Sequence, residues 1–208
     1  MVYRFDCDGK TLADKTSTIR MIQETIVTTV DAADQVHIAP MGIHIEADGI
    51  SILPFKPSKT LDNILATGVA VINHCDDVRV FAGCLTGRRD WPVTPAKTIT
   101  GVYLTATLAH VEVSLQRMAD DQLRPTLFCK AVHTVNHRPF QGFNRAQFAV
   151  LEAAILISRL DRLPWQKIES ELDYLRIGFE KTAGSKEREA WQWLMDEIDS
   201  YRLKAATS

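Results

Sequence analysis

Residues 37–43 read HIAPMGI, and this stretch decides how the first half of the chain is interpreted. Apolar and β-branched residues flank it, from Ile22 to Val30 and from Ile43 to Leu53, which predicts strands on both sides. A proline and a glycine, two positions apart, interrupt the pattern. Proline has no N–H for a ladder and glycine weakens a strand, so the pair marks an edge, a bulge or a close approach to the main chain. We therefore predict a broken strand at this point.

The composition is that of an ordinary globular protein. The chain has 208 residues, of which 46% are hydrophobic and 24% charged, and its formal net charge is −2. A chain of this size can bury a core without disulfides or metals. Without a basic run it offers little to nucleic acid or to an anionic membrane. Its most apolar run, FAVLEAAILISRL from Phe148, falls short of the roughly 20 residues that span a bilayer. We expect neither nucleic acid nor membrane as a partner.

The cysteines are scattered and form no C-x-x-C pair; they are Cys7, Cys75, Cys84 and Cys129. The first residues, MVYRFDCDGK, lack the apolar region of a signal peptide. We therefore expect reduced thiols in a cytoplasmic protein.

Residues 1–140 are the first of two predicted domains and read mainly as strands. Apolar and β-branched residues recur in six segments, and turn signals such as the Asp-Gly of EADG separate them. Two short helices are inserted. Six such strands predict a small closed or partly closed antiparallel barrel. The predicted strands are Ile22–Val30, Val36–Ile45, Ile50–Phe55, Val69–Asn73, Gly101–Leu115 and Thr126–Val135.

Residues 141–208 are the second predicted domain and have a helical pattern. Asn144 can cap the first helix, with Gln147 as its reciprocal partner, and apolar residues cover most faces of that helix. Pro164 opens the second helix at a position where its missing N–H costs nothing, and Ser185 caps the third. This half is therefore predicted to be a three-helix extension that packs on the barrel.

The interrupted strand is the first candidate binding segment. Pro40 leaves a facing carbonyl unpaired, and Gly42 lets a flat group approach the main chain. Outward-pointing N–H and C=O groups need a partner when they are buried. The pyrimidine edge of a flavin, with alternating donors and acceptors, is such a partner. The alternative is a β-bulge at a barrel corner that binds nothing.

The second candidate segment is FKPSKTLDNI, residues 55–64, which opens a short helix. A helix N-terminus presents free N–H groups and the positive end of a dipole, so it can hold phosphate. Ser58 and Thr60 add hydroxyl donors, and Lys56 and Lys59 add charge. The alternative is an ordinary N-cap beside ordinary surface lysines, and the acidic residue in the first turn opposes an anion.

The two segments lie on adjacent predicted strands that a tight hairpin joins. A molecule with a flat ring at one end and a phosphate at the other could therefore reach both segments. FMN has this form.

Other polar patterns are less informative. His133 and His137 have the spacing of a helical zinc pair, but a β-patterned segment separates the two side chains along the strand. Asp76 or Asp77 is better read as a helix cap than as a metal ligand. We predict no metal site.

A charged line at seven-residue spacing follows the first helix of the extension. It consists of Arg145, Glu152 and Arg159. A solvated stripe, or an ion pair that faces another subunit, is favoured over ligand contact for these side chains.

Taken together, the motifs resemble the flavin reductase-like FMN-binding split barrels, in the branch that carries a helical C-terminal domain. The similarity covers about residues 20–185. His37 is a departure, since relatives carry asparagine there. The matching residues are Ala39, Pro40, Met41, Gly42, Phe55, Ser58, Thr60, Asn63, Asn73, Asp76, Asp77, Phe143, Arg145, Ala146, Glu152, Ala153 and Arg159.

This resemblance implies an α+β fold, in which an antiparallel split β-barrel precedes the helices. It also implies FMN as cofactor, with the phosphate near Lys56–Thr60 and the ring near His37–Gly42. It implies a homodimer with flavin sites near the subunit interface, in the cytoplasm of a microbe. The expected cofactor-binding residues are His37, Ala39, Pro40, Met41, Gly42, Lys56, Ser58, Lys59, Thr60, Asn63 and Asn73.

Two functions are compatible with these expectations. The first is a flavin-dependent oxidoreductase or flavin reductase that acts on a small molecule, in which the cofactor carries the chemistry and the protein binds and orients it. The second is a non-catalytic flavin or nucleotide carrier, with a link to one-carbon (methanopterin) metabolism. No nicotinamide-binding motif or catalytic acid is evident in the sequence.

Overall fold

The computed structural model describes residues 21–46 and 49–206. Cys7 and Asp48 of the predicted Asp-Gly turn lie outside these residues. Strands and helices alternate in the first part and helices follow. The elements are β1 (Ile22–Val30), β2 (Val36–Glu46), β3 (Gly49–Ile52), α1 (Lys59–Thr67), β4 (Val69–His74), α2 (Val78–Leu85), β5 (Val93–Pro95), β6 (Val102–Leu104), β7 (Ala109–Ala119), β8 (Thr126–Asn136), α3 (Arg145–Ile157), α4 (Trp165–Thr182) and α5 (Ser185–Ala206).

Six antiparallel strands close into a barrel in the order β1-β2-β3-β8-β7-β4, and β4 pairs back onto β1. This confirms the predicted barrel. Alternate residues of the strands fill its interior, and α1 packs on it through Leu61 and Ile64. The α1 helix begins after its cap Ser58 and ends at Gly68, whose φ of 74° requires the left-handed conformation that glycine adopts freely.

The prediction of one strand over Gly101–Leu115 is wrong. The segment forms β6, a turn and β7, and β6 pairs with β5 in a small two-stranded sheet of its own. Buried polar groups cause the break: the Thr107 hydroxyl donates to His74 O at 2.9 Å, and Leu104 N–H donates to Asn73 Oδ1 at 2.7 Å. The polar segment after Leu115, predicted as a connection, continues β7 as far as Ala119 because it pairs with β8.

The predicted break in the HIAPMGI strand is also wrong. β2 pairs with β1 in one continuous register from Val36 to His44, with Pro40 opposite Ile26 and Gly42 opposite Glu24. In an antiparallel pair, only alternate residues exchange hydrogen bonds with their partner strand. The proline occupies one of the other positions, so its missing N–H removes no bond to β1.

The three predicted helices are present; α3 and α5 pack on α2, and α4 packs on α3. Asn144 caps α3, and its Oδ1 accepts from Ala146 N–H at 2.7 Å and from Gln147 N–H at 3.3 Å. The reciprocal bond is not formed, because the Gln147 amide lies 3.5 Å from a carboxylate oxygen of Glu187 on α5. Buried apolar residues of α2, including Val78, belong to the same core as those of α3, α4 and α5.

Glu112 is a buried carboxylate that anchors the loop before β6. It is fully buried on β7, and it accepts N–H bonds from Lys97 at 2.7 Å, Thr98 at 2.7 Å and Ile99 at 3.1 Å. Burial alone raises the pKa of a carboxyl group, yet these N–H bonds to the charged form outweigh it and the pKa of Glu112 lies below its ordinary value of 4.5.

We expect Glu112→Gln to lower the free energy of unfolding at pH 7 by about 2–4 kcal/mol, because the amide NH₂ cannot accept the N–H bonds. A lowered pKa in the folded state gives stability above pH 4.5 that is lost as the pH falls through the folded-state pKa. Urea unfolding measured from pH 7 to pH 3 should therefore show that the free energy of unfolding falls less with pH in the variant than in the parent protein. The surface variant Glu171→Gln, which removes only a pair with Lys167, is the control. Equal stability of both variants would contradict the prediction.

Candidate functional site

One edge of β2 is unpaired over residues His37 to Gly42 of the HIAPMGI segment. β3 pairs with β2 only from Ile43 to Glu46, so the earlier residues of β2 have a strand on one side alone. The hairpin bond from Asp31 N–H to Gln35 O shows which residue pairs of β1 and β2 exchange hydrogen bonds, since every second pair does so. The main-chain groups of Ile38, Pro40 and Gly42 belong to the other pairs and therefore point away from β1. The predicted outward-facing main chain is thus present without a bulge.

A cavity of about 480 Å³ lies along this edge, between the barrel and the helices. This main cavity falls within the roughly 300–1,000 Å³ of typical small-molecule sites. Its walls come from β1 and β2, from residues 53–58, from α2 and from α3. Two arginines also line it. The lining residues are Ile22, Glu24, Pro40, Met41, Gly42, Leu53, Phe55, Pro57, Ser58, Phe81, Leu85, Arg124, Leu151, Ala154, Ile155, Ser158 and Arg159.

The main cavity brings together parts of both predicted segments, namely Pro40, Met41 and Gly42 of the first and Ser58 of the second. Gly42 limits how far the wall of the main cavity extends inward. A Cβ at this position would lie 2.9 Å from Ile22 Cγ2, closer than carbon atoms normally approach. The absence of a side chain at residue 42 therefore keeps this wall of the cavity open.

His37 and Ala39 do not line the main cavity. Side chains alternate between the two faces of a strand, and these residues lie on the face opposite Pro40 and Gly42. Burial lowers the pKa of His37, and the positive charges of Arg89 and Lys59 lower it further. A side-chain contact from His37 to a ligand in the main cavity therefore has no support in the structure.

The two lysines predicted to bind phosphate are also outside the cavity lining, and both are paired with carboxylates. Lys56 Nζ lies 2.6 Å from Asp120 Oδ1, and Lys59 Nζ lies 3.0 Å from Asp31 Oδ2. Ser58 Oγ accepts Leu61 N–H at 3.3 Å, which is the ordinary capping role.

The remaining predicted ligands are buried, Thr60 and Asn63 on α1 and Asn73 on β4. Thr60 Oγ1 has no hydrogen-bond partner among the described residues. Asn63 donates to Thr29 Oγ1 at 2.9 Å, and Asn73 donates to Ile26 O at 3.0 Å. None of the three lines the main cavity. Their assignment as cofactor ligands stays a prediction, and the structure gives the two asparagines structural bonds instead.

Two arginines of the main cavity were not predicted as ligands. Arg124 donates through Nε to Leu53 O at 3.0 Å, and its guanidinium lies 4.8 Å from the centre of the Phe55 ring. Within the described residues, the Arg159 guanidinium makes no hydrogen bond or ion pair. The seven-residue charged line and the family resemblance were the sequence signals for Arg159, and Arg124 lies in a connection that reads as ordinary polar surface.

The other polar patterns do not form a metal site. His137 Nε2 lies 2.8 Å from His110 Nδ1, and both rings stack on Tyr103. No group of three or more His, Cys, Asp or Glu side chains in residues 21–46 and 49–206 is arranged to hold a metal ion. Asp77 caps α2 by accepting Arg79 N–H at 3.2 Å, which confirms the reading of this motif as a cap. None of the helices in the described residues has the length and apolar character needed to cross a bilayer.

A closed antiparallel barrel followed by a helical C-terminal part is the flavin reductase-like split-barrel fold. Comparison with known families makes the assignment specific: the chain belongs to the DUF447 family. The N-terminal model, "Protein of unknown function (DUF447) N-terminal domain", matches residues 23–138, and the model "Protein of unknown function (DUF447)" matches residues 144–196. The resemblance stated from the sequence is thereby confirmed.

A solved structure of the same family supports the fold, and a more distant one is also similar. An FMN-bound protein of the same family from Methanosarcina mazei matches with 18% identity over 86% of this chain and 95% of that chain, with a TM-score of 0.74. A 2-nitrobenzoate 2-nitroreductase from Pseudomonas fluorescens matches with 20% identity over 64% of this chain and 76% of that chain, with a TM-score of 0.49. No curated protein matches this chain.

Proposed function

We propose that the main cavity binds FMN. The observation that carries this proposal is the coincidence of three features in one cavity: an unpaired strand edge, apolar walls and two guanidinium groups. The family member from Methanosarcina mazei is FMN-bound, which supports the same ligand class here. The cavity volume of about 480 Å³ suits a ligand of that size.

The residues of the cavity divide into two groups by their chemistry. Pro40 O and the N–H and C=O of Gly42 are main-chain groups that suit the hydrogen-bonding edge of a flavin ring. Ser58, Arg124 and Arg159 suit a phosphate, because guanidinium groups form charge-assisted bonds with its oxygens. This assignment replaces the two paired lysines as phosphate ligands.

Bound FMN would supply hydride and electron transfer. The chain's own contribution is to bind and orient the cofactor and to exclude water from it. An N–H group at the ring edge would stabilise negative charge on the reduced form. We therefore propose an FMN-dependent oxidoreductase that acts on a small molecule, assembled as a homodimer.

Loss of the two guanidinium groups should weaken FMN much more than riboflavin, because only FMN carries the phosphate. We expect Arg124→Ala/Arg159→Ala to raise the Kd for FMN by roughly 100-fold, or about 1.4 kcal/mol for each group. The Kd for riboflavin should remain nearly unchanged. Quenching of flavin fluorescence during titration measures both constants.

The matched control is Lys56→Ala/Lys59→Ala, which also removes two positive charges from the same region. Because both amines are paired with carboxylates, this variant should keep FMN binding within a few-fold of the parent protein. Equal weakening of FMN and riboflavin by the arginine variant would show that the phosphate lies elsewhere.

Two further measurements test the enzymatic and oligomeric parts of the proposal. Anaerobic addition of NADH or NADPH should bleach the absorbance of the bound flavin if the protein is a reductase. Persistent yellow colour with both donors would favour a carrier. Sedimentation equilibrium measures whether the FMN-loaded protein is a dimer.

A further inference from the structure

A second cavity, of about 360 Å³, adjoins the main cavity. Glu24, Phe81 and Leu151 line both cavities, so the two are neighbours that share part of a wall. We call the second one the aromatic cavity. Its lining residues are Glu24, His74, Cys75, Asp76, Val78, Phe81, Leu108, Phe140, Phe143, Asn144, Gln147, Phe148 and Leu151.

Three exposed phenylalanines give this cavity an apolar rim. Phe140 and Phe143 meet edge to face with their ring centres 5.2 Å apart; Phe143 is fully exposed, and 53% of Phe148 is exposed. Exposed aromatic side chains grouped around a concave site are typical of ligand-binding surfaces. A flat ring would cover apolar surface here and could stack on or meet these rings edge to face.

Glu24 lies at the boundary of the two cavities. It stands opposite Gly42 in the β1–β2 pair, and its Oε1 is 3.7 Å from the point where a Cβ of residue 42 would lie. Glu24 is exposed, and among the described residues its carboxylate makes no hydrogen bond or ion pair. An unpaired carboxylate beside apolar walls can accept strong charge-assisted hydrogen bonds from a ligand.

The two cavities differ in charge. The main cavity contains Arg124 and Arg159, whereas no arginine or lysine of the described residues lines the aromatic cavity. Besides Glu24, the aromatic cavity contains Asp76, whose Oδ1 lies 3.8 Å from Arg138. An anionic ligand therefore suits the main cavity, and a cation or an N–H donor suits the aromatic cavity.

We propose that the aromatic cavity binds the second substrate of the enzyme, a flat aromatic molecule with a cationic or N–H-donating group that bonds to Glu24. The role as substrate site rests on the proposed FMN function, because FMN in the main cavity would lie beside it. Binding itself depends only on the aromatic cavity and can be measured with or without flavin.

The test uses three probes of nearly the same shape: benzamidine is a cation, benzamide is neutral and benzoate is an anion. Titration calorimetry with the full chain, with and without FMN, should give affinities in the order benzamidine, benzamide, benzoate, with at least a tenfold difference between the first and the last. Glu24→Gln should remove the preference for benzamidine over benzamide. Phe148→Ala should weaken all three probes by a similar factor and preserve their order.

The outcomes separate this inference from the proposed function. A preference for benzamidine that depends on Glu24 supports the aromatic cavity even if FMN does not bind, and that result would overturn only the flavin proposal. FMN binding without any preference among the probes would overturn the inference alone. If no probe binds and Phe143→Ala turns a dimer into a monomer, a second copy of the chain covers this surface and the inference is wrong.

Discussion

Replacing Gly42 by valine is expected to abolish FMN binding and to leave the barrel folded. Residue 42 faces the main cavity, and even a Cβ would come within 2.9 Å of Ile22 Cγ2. The two further methyl groups of valine would fill the space beside the open strand edge. We expect a loss of roughly 100-fold or more in FMN affinity, which corresponds to about 3 kcal/mol, and a colourless purified protein.

The fold should tolerate this change for two reasons. Valine has a higher β-propensity than glycine, and residue 42 lies within β2. The nearest atom is the Cγ2 methyl carbon of Ile22, whose side chain is half exposed and can turn outward. Circular dichroism and thermal unfolding check the fold, and flavin titration checks binding.

Two control variants make the test specific. At Gly101 a Cβ would meet its neighbours at 3.6 Å or more, and this glycine lines neither cavity, so Gly101→Ala should keep FMN binding. His37→Asn should also be mild, because His37 lies on the other face of β2. A folded Gly42→Val protein that stays yellow would place the ring elsewhere on the barrel. Loss of flavin in His37→Asn would mean that the histidine side chain takes part in recognition.

The sequence was sufficient for the features that depend on local patterns. Alternating apolar residues predicted the strands of the barrel, and Asn144 and Asp77 predicted where α3 and α2 begin. The proline and glycine of β2 correctly indicated an open edge. They did so because both residues break a local rule of strand formation, and such a break is visible in sequence.

The features that depend on distant partners could not be predicted. The turn between β6 and β7 depends on Asn73, whose amide oxygen accepts Leu104 N–H from 31 positions further along the chain. The lysines of the second segment read as phosphate ligands because Asp31 and Asp120, which pair with them, are remote in sequence. A short stretch of sequence shows a charged residue but not the distant residue that pairs with it.

Arg159 is the converse case, a residue that reads as surface in the sequence but lines the cavity in the structure. Its spacing from Glu152 on α3 suggested a solvated stripe, since sequence does not show which cavity a helix borders. The structure places Arg159 at the wall where α3 meets the barrel. The helical extension thus contributes side chains to the candidate flavin site, and the barrel alone would present an incomplete site.

A chain that ends at Arg138 is therefore expected to lose FMN binding and to aggregate. The deletion removes α3, and with it Leu151, Ile155 and Arg159 of the main cavity. It also uncovers α2, where the side chain of Val78 is now 5% exposed in the core shared with the helices. A large apolar patch on a soluble protein favours association.

Polar links between α2 and α5 would be lost in the same deletion. Lys186 Nζ lies 3.1 Å from Asp77 Oδ2, and Arg79 bonds to Glu189 at 3.1 Å. Asp77 is nearly fully buried, so removal of one of its partners leaves a buried carboxylate less well compensated. The barrel and the helices should consequently unfold in a single thermal transition in the full chain.

Size-exclusion chromatography and flavin titration of three chains test this expectation. The chain that ends at Lys204 removes only the end of α5 and should behave like the full chain. The chain that ends at Arg138 should elute as aggregates and bind no FMN, whereas full-length Arg159→Ala should remain folded with weakened FMN binding. A soluble, monomeric and FMN-loaded chain ending at Arg138 would show that the barrel forms the site alone, because the contacts from α3 would then add nothing to binding.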